Sequence, residues 1–143
     1  MRDLELAKQI LDGRNLALAI VKGGKILFES YSSGISGLLQ AVERHKEELY
    51  GSSVADRVVG RAAALLLACS QVKEVYAFTL GNEGLKVLKE NNIPFEYDGL
   101  VPKILDGDRK DICPFERFSS TIRSLDEAYE RLKAFAENLQ KEK

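Results

Sequence analysis

Cys113 lies in Asp111-Ile112-Cys113-Pro114-Phe115-Glu116, a spelling that can build a reactive corner. Proline favours the first position of a helix and glutamate the third. The hexapeptide therefore predicts a helix starting at Pro114, with Cys113 as its N-cap and Glu116 reaching back over the first turn. A thiol in the positive field of a helix N-terminus is a nucleophile or an anion-binding corner. The same letters also describe a helix start with a half-buried, inert thiol.

A second group is Ser53-Val-Ala-Asp56-Arg57-Val-Val-Gly60-Arg61-Ala-Ala-Ala64. Read as the start of a long helix from Val54 to Ser70, it stacks Asp56 and Gly60 on one face. Asp56 then serves either as an acid or as the capping partner of Ser53. Gly60, costly within a helix, marks a close approach by a strand or a ligand. Arg57 and Arg61 become a like-charged pair that calls for an anion, or a solvated helix face. A third group, Gly81-Asn82-Glu83-Gly84, turns a buried strand into a helix, where α/β sheets place ligands. Its plainer reading is a strand-ending Gly81 and a helix-capping Asn82.

The elements that must position these residues follow from turn and cap signals. Asp3 caps a helix over Leu4–Leu11 that Gly13 ends. Leu16–Val21 and Lys25–Tyr31 read as strands joined by Lys22-Gly23-Gly24, a strong hairpin signal. A Ser/Gly loop over 32–37 leads to a helix from Leu38 to Leu49. Beyond the long helix come a buried strand at Glu74–Leu80, a helix at Leu85–Asn91, and strands at Ile93–Tyr97 and Leu100–Leu105. Asp106–Lys110 reads as a polar turn, and Ser124-Leu-Asp-Glu127 as a capping box for a last helix over Leu125–Leu139. The order describes a single α/β domain over residues 1–143, with helices on both faces of a mixed sheet.

Composition narrows the function classes. With 45% apolar residues in 143, the chain can bury a substantial core. Balanced charge, 21 basic against 22 acidic residues, gives no bulk attraction to nucleic acid or to an anionic membrane. The first residues lack a signal-peptide core, and the apolar run Ala62–Cys69 is too short to span a bilayer. The two cysteines are accordingly expected as reduced thiols in a cytoplasm. One histidine, His45, sits among charged residues that suggest a solvent-facing helix surface. With His45, Cys69 and Cys113 far apart, the spacing required of a zinc site is missing, and no metal or other cofactor is expected.

Asp56-Arg-Val-Val-Gly-Arg-Ala-Ala-Ala64 and Ile112-Cys-Pro-Phe-Glu116 together carry a resemblance that spans nearly the whole chain. The sequence resembles an uncharacterised prokaryotic family, domain of unknown function 1893, of cytidine-deaminase-like fold. The resemblance implies a three-layer α/β/α sandwich around a mixed five-stranded sheet. Deaminases of that fold carry His/Cys-Ala-Glu at the long helix, whereas Gly60-Arg61-Ala62 stands at the matching place. Gly81-Asn-Glu-Gly84 replaces their Pro-Cys-x-x-Cys, so both halves of the zinc motif are absent.

Three functions then remain open. One is a zinc-free cleft that binds a small anionic, nucleotide-like ligand through Gly60, Arg61, Gly81 and Asn82. Another is an enzyme with Cys113 as nucleophile or redox thiol, Glu116 or Asp56 as acid/base and Arg61 as anion clamp. The third is a structural module. Self-association is expected by analogy with the fold class.

Overall fold

The computed structural model describes residues 1–106 and 110–141. Most of the polar turn expected at Asp106–Lys110, and the last two residues of the lysine-rich tail, lie outside the described residues. No helix among the described residues is long and apolar enough to cross a membrane.

The chain opens with helix α1 (Asp3–Gly13), then strands β1 (Leu18–Lys22) and β2 (Lys25–Ser30). Gly23 and Gly24 join the two strands with positive φ at both positions, the turn that matches strand twist. Asp3 does not cap α1; its N-cap is Arg2. The Asp3 carboxylate instead accepts the Gly23 and Gly24 N–H groups, each at 2.9 Å, and ties helix to hairpin. Helix α2 (Ser36–His45) ends earlier than expected. His45 is half-buried, with Nδ1 3.0 Å from Glu48 Oε1 and the ring edge against Phe28, so its solvent-facing assignment is corrected.

The main correction falls next. Val54–Ser70 is not one helix but strand β3 (Ser53–Val59) followed by helix α3 (Arg61–Cys69), with Gly60 the extended N-cap between them. Val54, Val58 and Val59 are β-branched, which favours a strand. Asp56 and Gly60 therefore share no helix face, and Arg57 and Arg61 form no helical pair. Ser53 opens no helix either: its hydroxyl donates to Glu74 Oε2 at 2.6 Å, both residues buried. Arg57 leaves the sheet toward α1, donating to the Leu16 and Leu11 carbonyls.

Strand β4 (Glu74–Gly81), helix α4 (Asn82–Glu90) and strand β5 (Phe95–Val101) continue the chain, so one strand replaces the two expected at Ile93–Tyr97 and Leu100–Leu105. The sheet has five strands in the order β2-β1-β3-β4-β5. β1 runs antiparallel to β2 and β3, and β3, β4 and β5 are mutually parallel. Helix α5 (Pro114–Ser119), a 3₁₀ turn (Leu125–Glu127) and helix α6 (Ala128–Lys141) close the chain.

Alternation along the strands builds two cores. Ala19, Val21, Ala55 and Tyr76 pack under α1 on one face, with Leu4, Ala7, Ile10 and Leu11. Leu18, Ile20, Val54, Val75 and Ala77 face the larger core, which takes in α2, α3, α4 and α6. Ala62 to Ala68 of α3 are all buried there, as a helix that apolar requires. The result is the expected α/β fold on a mixed five-stranded sheet, with β3 as the strand that pattern reading missed.

Candidate functional site

Three parallel strands end at the same rim: β3 before Gly60, β4 at Gly81 and β5 before Pro102. Their C-terminal ends, with the N-termini of α3 and α4, are where open α/β sheets bind ligands. The two helix starts are in contact. A Cβ on Gly84 would meet the Gly60 carbonyl oxygen at 2.8 Å, so α4 can lie this close only with glycine there.

Glu116 completes the rim. Cys113 is indeed the N-cap of α5 and Pro114 its first residue, but the thiol makes no capping bond. Glu116 does not fold back on its own helix either. Its carboxylate crosses to α3, where Oε1 accepts the Arg61 N–H at 2.6 Å and Oε2 the Ala62 N–H at 3.0 Å. Two otherwise unpaired amides and the positive end of the helix dipole thus receive a charge from elsewhere in the chain. Burial raises the Glu116 pKa and the Glu83 charge adds to that, against the two amide bonds and the Arg61 guanidinium, which lower it.

Arg61 answers in the opposite direction. Its Nε donates to the Ser119 carbonyl at 3.0 Å and its Nη2 to the Ile122 carbonyl at 2.8 Å. Two of its guanidinium nitrogens thus fasten the α5 end to α3, a structural role beside the expected one of anion clamp.

Over this clasp opens a cleft of about 470 Å³. Its lining combines Arg61, Gly81, Glu83 and Glu116 with apolar Pro102, Ile104 and Ile112 and cationic Lys103, Arg117 and Arg123. Of the residues expected to form a site, the structure brings Arg61, Glu116 and Gly81 to the cleft and Gly60 directly behind Glu116. Asn82 is the first residue of α4, not its cap, and does not line the cleft. Neither do Cys113 and Asp56.

Asp56 lies on β3, 6% exposed, facing the larger core beside Leu18 and Ala77. Burial raises its carboxyl pKa to about 7, against the Val58 and Arg57 backbone N–H groups that lower it. Cys69 and Cys113 are free thiols, and burial raises the Cys69 pKa. Cys113 and Asp56 therefore do not join Glu116 in lining this cleft.

Sequence reasoning missed Lys103, Arg117 and Arg123. The signal available was modest: five cations within the 21 positions from Lys103 to Arg123, on both sides of Cys113. Their acid partners are few. Glu116 is held by α3 and Glu83 pairs with Lys86 at 3.1 Å. Among the acids of the described residues, Arg117 reaches only Asp111, at 3.7 Å. Lys103 and the Arg123 guanidinium have no acid partner among the described residues.

Gly60-Arg61-Ala62 and Gly81-Asn82-Glu83-Gly84 adjoin at this rim and supply neither cysteine nor histidine. No group of three or more His, Cys, Asp or Glu side chains among the described residues is arranged to hold a metal ion. The donor set does not fit a deaminase zinc site.

Comparison with known proteins agrees with this architecture. The solved structure of dCMP deaminase from the cyanophage S-TIM5 is similar with a TM-score of 0.50 at 19% identity, covering 66% of this chain and 93% of that one. RibD from Acinetobacter baumannii gives a TM-score of 0.51 at 18% identity, covering 67% of this chain and 35% of that one. Both likenesses concern the fold alone. The structure of a DUF1893 family protein, TM1506, from Thermotoga maritima has a TM-score of 0.85 at 30% identity, over 92% of this chain and 88% of that one. No curated protein gives a significant match. The model of the family described as TM1506, domain of unknown function (DUF1893), matches residues 6–136, and the chain belongs to that family.

Proposed function

We propose that the protein binds a small anionic, nucleotide-like molecule in the cleft between α3, α4 and α5. The observation that carries this reading is the unbalanced charge of the lining: Lys103 and Arg123 lack acid partners among the described residues, while both glutamates are engaged. At about 470 Å³ the cleft lies within the size range of small-molecule sites. Pro102, Ile104 and Ile112 offer apolar surface for a ring, and the lining cations suit phosphate or carboxylate. The arrangement joins one apolar surface to one anion-binding surface, which is the character of a nucleotide. No chemical step is assigned to the cleft.

Thermal unfolding with paired nucleosides and nucleotides tests the reading. A ligand at 100 times its Kd stabilises by about 2.7 kcal/mol, so nucleotides should raise Tm where nucleosides do not. Lys103→Ala with Arg123→Ala should abolish the shift. Equal response to nucleosides and nucleotides, or a shift that survives both substitutions, would refute it.

A further inference from the structure

A second, smaller chamber shares lining residues with the cleft. It measures about 210 Å³ and opens between α3, the end of α4 and the 3₁₀ turn. Arg61 and Arg123 line both spaces. Arg61 is held by the Ser119 and Ile122 carbonyls. Among the described residues Arg123 is held only through its backbone N–H, which donates to Glu127, so its guanidinium stands available to both spaces.

The two chambers differ in chemistry. The larger has the apolar wall and Lys103. The smaller presents Glu90, Asn91 and Ser124 beside Leu65 and Leu125. Asn91 spends its amide N–H on the Val87 carbonyl, which leaves its side-chain oxygen as an acceptor. Ser124 accepts from the Asp126 N–H and keeps its own hydroxyl proton to donate. Glu90, exposed at the end of α4, adds acceptors and a negative charge that repels a second anion. Such a set suits the hydroxyl groups of a sugar.

We propose that the ligand is a two-armed phosphate or pyrophosphate ester, its anionic centre at Arg123, its larger arm in the main cleft and a smaller polyhydroxylated arm in the side chamber. The proposal rests on the anion-binding reading of the main cleft and adds the shape of the ligand. A ligand of this class joins two dissimilar groups through one charged link, as the two chambers are joined through one arginine.

Calorimetric titration of the full chain with AMP and UMP, and with ADP-ribose and UDP-glucose, tests it. The two-armed esters should bind at least tenfold more tightly than the matching monophosphates. Glu90→Trp, which fills the side chamber from an exposed position, should remove that excess. Equal affinity for both classes, or an excess that survives Glu90→Trp, overturns the two-chamber proposal while the main-cleft reading stands. Failure of all four compounds to bind overturns the main-cleft reading itself.

Discussion

The Glu116 carboxylate fills the space that a Cβ on Gly60 would occupy. The glycine at the end of β3 and the glutamate of α5 form one device: the bare backbone lets the carboxylate reach the Arg61 and Ala62 N–H groups. Neither residue has this role alone.

Gly60→Ala should therefore expel the carboxylate from α3 and destabilise the fold, by the roughly 1–3 kcal/mol typical of overpacking. In a Glu116→Ala background the same substitution should cost much less, because the clashing group is gone. A double-mutant cycle by urea unfolding reads the coupling. Additive effects of the two changes would contradict the clasp.

Asp56 makes stability fall as pH rises. Its carboxyl loses its proton near 3.8 in the unfolded chain and near 7 in the folded one. Between those values the native state holds more protons, so the contribution is complete at low pH and lost as pH rises through about 7. The shift of about three units corresponds to an upper limit near 4 kcal/mol. Asp56→Asn should keep its backbone bonds, flatten this component of the pH profile and equal or exceed the parent at pH 8. Superimposable profiles for the two proteins would count against the buried acid. Glu116, raised in the same direction, contributes a slope of the same sign that Glu116→Gln isolates.

Two arginines of the cleft should separate into a structural and a binding role. Arg61→Ala leaves the Ser119 and Ile122 carbonyls without their charged donor and should cost about 2 kcal/mol of stability. Arg123→Ala, which breaks no side-chain bond among the described residues, should leave stability within about 0.5 kcal/mol of the parent while weakening nucleotide binding. Chemical denaturation and titration of both variants check the division. Stability loss of similar size in both would undo it.

Cys113 should prove dispensable for binding. It caps α5 but lies off the cleft lining, so Cys113→Ser should preserve any nucleotide-induced Tm shift. Cys69, with a pKa raised by burial, should react with iodoacetamide at pH 8 more slowly than a free thiol peptide. Loss of the Tm shift in Cys113→Ser would return the thiol to the site.

The sequence by itself determined the features that neighbours in the chain decide. Gly23-Gly24 specifies its hairpin through local φ, Cys113-Pro114 its helix start through local geometry, and the shortage of cysteine and histidine the lack of a deaminase zinc set. Tertiary structure decided what depends on distant partners. Ser53–Val59 satisfies helical spacing on paper, yet it pairs with β1 and β4, where Val54 buries between the two strands and Val59 beside Leu80 of β4. Glu116 has a local role available in its own helix, but it meets Arg61, 55 positions away, where two unpaired amides offer a stronger hold than one turn of α5. Periodicity and capping rules see one or two helical turns of chain. Strand pairing and the clasp across the cleft draw their energy from burial and hydrogen bonds that exist only after the sheet has assembled.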